Sequence, residues 1–325
     1  MSANATPNAD EARARIDAQL RVAPGTAAGL AQRDSAWLGG PEYEALTAEE
    51  LDDTAKAKVA AGVEALADAQ ELLWADATRA VLIVFQAMDA AGKDSTIKHV
   101  MSGVNPQGVD VTSFRHPTAE ELAHPFLWRT WQAVPAKGRI GIFNRSHYEE
   151  VVALRVHPEW LAGQHLPDGV GDDDLWAGRY ADINAFEQHL ARTGVTTVKF
   201  FLNVSKEEQK RRFLRRLDRP HKEWKFNAAD VVERQRWDDY MDAFEQAISA
   251  TSTPWAPWYV IPADHKHVMQ AMVAAILVDT IGSLDLRWPT VSPEEHAANV
   301  RARQDLMAPS DVGGRDSAGV QDTAT

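Results

Sequence analysis

The sequence predicts a three-layer α/β domain, in which helices cover both faces of a doubly wound parallel sheet. Two observations support this fold class. Five short apolar segments, rich in β-branched and aromatic residues, are typical of buried strands, and each is followed by a segment with helical features. Strands that alternate with helices form parallel sheets, and the right-handed crossover rule then places helices on both faces.

The composition of each segment predicts the elements in chain order. The strands are AVLIVFQ (80–86), GVDVTSF (108–114), RIGIFN (139–144), TTVKFFLNV (196–204) and WYVIPA (258–263). A helix beginning near Gly92 follows the first strand, and the others are followed by PTAEELAHPFLWRTWQAV, SHYEEVVALRV, SKEEQKRRFLRRLDRP and HKHVMQAMVAAILVDTIGSL. Thr118 with Glu121, and Ser205 with Glu208, have the spacing of capping boxes, which predicts two of the helix starts.

One domain is expected over residues 26–288, with less ordered segments at both ends. Residues 1–25 are rich in Ala, Asn, Asp and Pro, and we expect a flexible segment there. Residues 289–325 are expected to form a disordered tail, because their second half contains few large apolar side chains.

The composition excludes several classes of function. No cysteine is present, which excludes disulfides, thiolate metal sites and cysteine nucleophiles. We expect a cytoplasmic protein without membrane association, since no segment approaches the roughly 20 apolar residues that span a bilayer and the N terminus lacks the features of a secretory signal. The net charge of −13 argues against a nucleic-acid binder, so a polyanionic ligand would need a local positive patch.

A phosphate-binding loop is predicted between the first strand and its helix. Residues 85–100 read FQAMDAAGKDSTIKHV, which matches the G-x-x-x-x-G-K-[ST] pattern at Gly92 and Lys93 but departs from it at Ala87 and Asp94. Loop N–H groups at a helix N terminus favour anions, and Lys93 would add a positive charge. The loop residues expected to contribute to phosphate binding are Ala90, Ala91, Gly92 and Asp94. The alternative is a strand–turn–helix in which A-G-K occurs by chance.

Two side chains predict a magnesium site beside this loop. The carboxylate of Asp89 would repel phosphate unless a cation neutralised it, and Mg²⁺ prefers carboxylate oxygens, waters and substrate phosphates. Asn144 ends the third strand, where many phosphoryl-transfer enzymes hold magnesium with an aspartate. The alternative for Asp89 is a turn residue that hydrogen-bonds the local backbone. The carboxylate of Asp94 is expected to favour the helix dipole rather than to act in catalysis.

Two arginines follow neighbouring strands of the predicted sheet. Arg145 comes directly after Asn144 and can neutralise the oxygens of a transferring phosphoryl group. Alternatively, Ser146 caps the next helix, Glu149 occupies the capping-box position and Arg145 is solvated. Neither Ser146 nor Glu149 is expected to be catalytic. Arg115 follows the second strand and could bind the phosphate of an acceptor.

A strongly basic segment follows the fourth strand. Residues 206–225 contain nine Lys or Arg and four Asp or Glu, a local charge of +5 in an acidic chain. A solvated charged helix is the ordinary explanation. This segment follows the fourth strand, on the side where the phosphate loop and the predicted magnesium residues converge. That position predicts instead a positive lid over about residues 206–230 that closes on a polyanion.

The motifs MDAAGKD, SGVNPQG, FNRSHYEE and RRLDRPHKEWK, in this order and spacing, closely resemble the family-2 polyphosphate kinases. The resemblance covers about residues 30–285. It implies a phosphate-loop kinase core similar to thymidylate kinase with a helical lid, and phosphoryl transfer between inorganic polyphosphate and a nucleotide. It also implies Mg²⁺, for which Mn²⁺ can substitute, and a homo-oligomer.

The resemblance also implies roles for individual residues. Asp89 and Lys93 match the aspartate and lysine of the family's loop, Arg145 matches the arginine of its second motif, and Asn144 matches a residue that is aspartate in some members. The lid residues implied to bind polyphosphate are Arg215, Arg216, Lys222 and Lys225. The GKD and FNRSHYE forms resemble the subgroup that phosphorylates both nucleoside monophosphates and diphosphates, which would carry AMP through ADP to ATP.

Two other functions remain open at this point. An ATP-dependent nucleoside monophosphate kinase would use ATP as donor and gain nothing from polyphosphate. A non-catalytic polyanion-binding module would bind without magnesium, and its binding would survive Asp89→Asn.

Overall fold

The computed structural model describes residues 9–167 and 172–308, and the strands in these ranges form one parallel sheet. The strands are β1 (Ala80–Gln86), β2 (Val109–Ser113), β3 (Ile140–Asn144), β4 (Val195–Asn203) and β5 (Trp258–Pro262). Their order in the sheet is β2-β3-β1-β4-β5, with every neighbouring pair parallel. The predicted parallel sheet is therefore confirmed.

Helices precede and follow the strands along the chain. In the described residues they are α1 (Ala9–Leu20), α2 (Ala48–Asp76), α3 (Lys93–Val100), α4 (Ala119–Leu122), α5 (Trp128–Gln132), α6 (Ala153–Val156), α7 (Asp172–Arg192), α8 (Lys206–Leu217), α9 (Ala228–Gln235), α10 (Trp237–Thr251), α11 (Lys266–Gly282) and α12 (Pro293–Met307). One group consists of α2, α3 and α11, and a second of α6, α7 and α10. Every residue of β1 is buried, which requires cover on both faces because side chains alternate along a strand.

The N-terminal segment is more ordered than its composition predicts. Ala9–Leu20 form α1, whereas residues 1–8 lie outside the described ranges. Beyond α1, Leu20 and Val22 are buried, and the N–H of Val22 donates to the carbonyl of Trp258 at 2.9 Å. The segment that is predicted to be flexible over residues 1–25 therefore contains a helix and contacts β5, and its flexibility stays a prediction.

The chain divides into two units after Arg287, and the second begins at Trp288. In that second unit Pro293–Met307 form α12, although a disordered tail is predicted from residue 289. Ser292 and Glu295 make a complete capping box at its start, which stabilises a helix whose side chains are exposed throughout. Residues 309–325 of the predicted tail lie outside the described ranges.

Several predicted helices begin or break differently. The Thr118–Glu121 capping box is confirmed, but the helix after it is two short helices, α4 and α5, separated by a stretch that contains Pro125. The helix predicted over 146–156 is a 3-10 turn, His147–Glu150, followed by α6. The 29-residue α2 was not predicted, and it begins with its own capping box. No helix in the described ranges combines the length and apolar character needed to cross a bilayer.

Candidate active site

The predicted site residues converge on one open cavity at the carboxyl ends of β1, β2 and β3. The cavity has a volume of about 1160 Å³. The predicted residues that line it are Asp89, Ala90, Gly92, Lys93, Asp94, Arg115, Asn144, Arg145, Arg215 and Arg216. Ala91 does not line it, because this residue is buried and its N–H donates to the carbonyl of Met88 at 3.3 Å. The side chains of Lys222 and Lys225 lie outside the part of the structure that is described.

Left-handed backbone shapes the loop between β1 and α3. Ala90 has a φ of 60° and Gly92 a φ of 112°. Ala87, which replaces the first glycine of the usual pattern, is not among the described residues with positive φ, so this departure causes no backbone strain. No described side chain caps the N terminus of α3 at Gly92. Uncapped N–H groups at a helix start favour an anion, which agrees with the predicted phosphate loop.

Lys93 is buried in the loop, and its Nζ donates to the carbonyl of Ala87 at 3.0 Å. Burial and repulsion by Arg145 lower the pKa of Lys93 to about 8, while attraction by Asp89 opposes this change. A phosphate next to Nζ would favour the charged form again. The ammonium group of Lys93 is therefore prepared to interact with an anion that enters the cavity.

Asp89 and Arg145 form an ion pair on the cavity wall. An Nη of Arg145 lies 2.8 Å from Oδ1 of Asp89, and the other lies 3.3 Å from an Oε of Glu149. Attraction by Glu149 raises the pKa of Arg145 above its ordinary value. Burial acts to lower this pKa, but its effect is smaller. Arg145 has a φ of 61°, and its N–H donates to the carbonyl of Phe85 at 3.1 Å. Arg145 is thus held by two carboxylates and is not the freely solvated side chain of the alternative interpretation.

Asn144 lies at the edge of the same cavity. Its amide nitrogen donates to Oδ1 of Asp94 at 2.7 Å, which leaves the amide oxygen available as a ligand. Asp94 therefore orients Asn144, a role beyond the predicted interaction with the helix dipole. Among the described residues, no group of three His, Cys, Asp or Glu could hold a metal by itself. A site with one carboxylate, one amide oxygen and substrate phosphates is the kind that suits Mg²⁺.

The helix α8 lies against the phosphate loop through Arg212, which was not predicted as a site residue. The guanidinium of Arg212 donates to the carbonyls of Ala90 and Ala91 at 3.2 and 2.6 Å, and to that of Ala263 at 2.5 Å. Its position four residues before Arg216 was visible in the sequence, but spacing does not show which arginine faces the protein. Arg212 therefore ties α8 to the loop, and its guanidinium donors are occupied by protein groups.

Glu208 organises the arginines of α8. Ser205 accepts from the N–H of Glu208 at 3.1 Å, but the carboxylate does not complete the predicted capping box. It pairs instead with Arg211, Arg212 and Arg215 at 2.8–2.9 Å. The side chain of Arg215 remains 58% exposed, so it keeps donors available for a ligand in the cavity.

Two further residues line the same cavity. Asp230 in α9 lines the cavity, and burial, together with repulsion by Asp89, raises its pKa. This carboxylate was not predicted, because it follows the basic segment by several residues and belongs to no local motif. Arg115 lines the cavity two residues after the end of β2, and its carbonyl accepts a hydrogen bond from Arg129 at 2.9 Å.

Comparison with known proteins identifies the family. The model of the family "Polyphosphate kinase 2 (PPK2)" matches residues 49–287. The chain is 51% identical over 246 residues to an ADP-polyphosphate phosphotransferase of Rhodopseudomonas palustris, covering 75% of this chain and 85% of the relative. It is 48% identical over 220 residues to an AMP/ADP-polyphosphate phosphotransferase of Meiothermus ruber, covering 68% of this chain and 78% of the relative.

Solved structures agree with this result. The fold is similar to that of polyphosphate kinase 2 from Arthrobacter aurescens TC1, with a TM-score of 0.77, 40% identity, and coverage of 88% of this chain and 95% of that chain. The predicted phosphate loop, the arginine beside it and the basic segment over residues 206–225 all lie within the matched residues 49–287. This chain therefore belongs to the polyphosphate kinase 2 family of phosphotransferases.

Proposed function

We propose that this protein transfers phosphoryl groups from inorganic polyphosphate to AMP and ADP, and that the reaction is reversible. The observation that carries the proposal is the convergence of Lys93, Asp89 and Arg145 on a cavity that an arginine-rich lid helix borders. The family supports polyphosphate as donor, and the names of the two relatives support nucleoside monophosphates and diphosphates as acceptors.

The reaction exchanges one phosphoanhydride bond for another. An oxygen of the terminal phosphate of the nucleotide attacks the terminal phosphorus of polyphosphate, and the bond to the next phosphate of the chain breaks. The shortened polyphosphate leaves with the bonding electron pair. Because little covalent chemistry is required of the protein, its contribution is to position both substrates and to neutralise charge.

The predicted site residues have separate roles in this scheme. Lys93 and the N terminus of α3 bind the phosphates at the reacting centre. Arg145 keeps its carboxylate partners and directs its remaining N–H donors at the transferring phosphoryl group, whose charge it stabilises. Arg115 binds the acceptor phosphate. The polyphosphate chain is bound by the lid residues Arg215, Arg216, Lys222 and Lys225.

Polyphosphate kinases of this family generally need a divalent metal, and we propose Mg²⁺ here, with Mn²⁺ as a possible substitute. Asp89 and Asn144 would hold the ion, which would neutralise phosphate charge when bound. Asp89 has one oxygen paired with Arg145, so the second oxygen is the one available to a cation. A cytoplasmic location and a homo-oligomeric state stay predictions.

The test is the formation of ATP without any nucleoside triphosphate in the reaction. Purified protein receives long-chain polyphosphate, Mg²⁺ and either AMP or ADP, and ATP is followed by luminescence, with Lys93→Ala as the matched inactive variant. ATP from both acceptors, lost in the variant, would support the proposal. ATP from ADP alone would contradict the monophosphate activity. No product from either acceptor, but transfer from ATP to a monophosphate, would favour an ordinary nucleotide kinase.

A further inference from the structure

A buried polar network adjoins the segment that carries Arg145 and takes no part in the proposed chemistry. It consists of Lys199 in β4, Glu187 in α7 and Tyr148, which lies three residues after Arg145. Lys199 and Glu187 are 0% exposed and Tyr148 is 1% exposed. Both charged side chains are thus removed from water, far more completely than is usual for lysine and glutamate.

The three side chains form hydrogen bonds with one another. Nζ of Lys199 donates to Oη of Tyr148 at 2.9 Å, to Oε2 of Glu187 at 2.5 Å and to the carbonyl of Thr251 at 2.8 Å. All three donors of the ammonium group are therefore used. The hydroxyl of Tyr148 in turn donates to Oε1 of Glu187 at 2.9 Å. Tyr148 is the member that belongs to the FNRSHYEE motif, so it joins that motif to the pair.

Stability alone does not account for this arrangement. Burial lowers the pKa of Lys199, which Glu187 opposes. Burial also acts to raise the pKa of Glu187, but the Lys199 ammonium and the neighbouring His147 leave it below its ordinary value. A buried ion pair often contributes no more to stability than well-packed apolar side chains of similar volume, and a role in conformational specificity is then a hypothesis worth testing.

The network is connected to Arg145 by a short stretch of chain. Arg145 has the left-handed φ of 61°, a conformation that a non-glycine residue adopts only when its surroundings impose it. The backbone N–H of Arg145 donates to the carbonyl of Phe85 in β1. Oγ of Ser146 accepts from Gln86 at 3.1 Å and from the N–H of Tyr148 at 3.2 Å. The buried hydroxyl of Tyr148 then fixes the far end of this turn.

We propose that Lys199, Glu187 and Tyr148 are positioning residues, which hold the turn after β3 so that the guanidinium of Arg145 faces Asp89 and the transferring phosphoryl group. The inference rests on the role of Arg145 in the proposed function. The network therefore acts on turnover through Arg145 and through no other catalytic group.

A double-mutant cycle tests this claim. Rates of ATP formation from ADP and polyphosphate are measured for the wild type, Tyr148→Phe, Arg145→Ala and the double variant, with thermal unfolding of each. Tyr148→Phe is expected to lower kcat by about tenfold to a hundredfold through misplacement of Arg145, while both KM values stay within about twofold. In the Arg145→Ala background the same substitution is expected to have no further effect on kcat.

Tyr259→Phe is the matched control. Tyr259 is also buried, at a site remote from Arg145. The substitution removes one hydrogen bond, which the Tyr259 hydroxyl donates to Asp17 at 3.1 Å. It should leave kcat unchanged. If Tyr148→Phe does not fold, the paired substitution of Lys199→Met with Glu187→Leu removes both buried charges together and carries the same expectation.

The outcomes separate the two proposals. An equal loss of kcat from Tyr148→Phe in both backgrounds would mean a general structural role and would overturn the positioning claim. Loss of turnover in Arg145→Ala without any loss in Tyr148→Phe would overturn the network alone. Unchanged turnover in Arg145→Ala would overturn the proposed role of Arg145, and the network inference with it.

Discussion

Replacement of Lys93 by arginine is expected to remove a pH dependence of polyphosphate binding. Lys93 is buried and the pKa of its ammonium group is lowered to about 8, whereas a guanidinium stays charged at all working pH values. The wild-type side chain is therefore mostly charged at pH 7 and mostly neutral at pH 9. Only the charged form attracts phosphate.

The size of the effect follows from the titration curve. With a pKa of about 8, the protonated fraction falls from about 0.9 at pH 7 to about 0.1 at pH 9. If the protonated form carries the binding, the Kd for polyphosphate rises by about tenfold over this range. Because the ammonium form of Lys93 predominates below pH 8, the affinity for polyphosphate is highest below pH 8 and falls as the pH rises above it.

Calorimetric titration with polyphosphate at pH 7, 8 and 9 measures this dependence directly. Wild-type protein should show the weakening of about tenfold, and Lys93→Arg, which keeps its charge, should change by less than about twofold. The comparison cancels any titration of polyphosphate itself, since both proteins meet the same ligand. Parallel weakening of both proteins would refute the assignment of the pH dependence to Lys93.

Three further substitutions test the loop and the lid. Lys93→Met should abolish activity. It should also stabilise the ligand-free protein by about 1–3 kcal/mol below pH 8, because a buried ammonium group is removed, and thermal unfolding measures this gain in stability. Arg212→Lys should lower the free energy of unfolding by about 1–3 kcal/mol, because backbone carbonyls lose their donors. The control is Arg211→Lys at an exposed side chain, which should change the free energy of unfolding by less than about 0.5 kcal/mol. Gly92→Ala, at a φ of 112°, should lower stability by about 1–2 kcal/mol and also reduce kcat, and unchanged values of both would contradict the strain argument.

Local sequence determined the sheet and the phosphate loop. The five strands are short, buried and bounded by polar residues, so their composition alone marks them, and all five lie within two residues of their predicted bounds. The sequence also predicted that Asp89, Lys93 and Arg145 would lie close together. Carboxyl ends of parallel strands share one edge of a sheet, and these residues follow β1 and β3, which are direct neighbours.

Only the tertiary structure decided which partners these side chains have. No spacing rule could show that Glu208 would bind arginines instead of capping its helix, or that Arg212 would turn towards the loop while Arg215 stays exposed. The broken helix after Arg145 has the same origin, because the partner of Tyr148 lies in α7, 39 residues further along the chain. Propensity and periodicity describe a residue's neighbours in sequence. The conformation of a buried polar side chain is determined instead by the distant groups that must satisfy its hydrogen bonds.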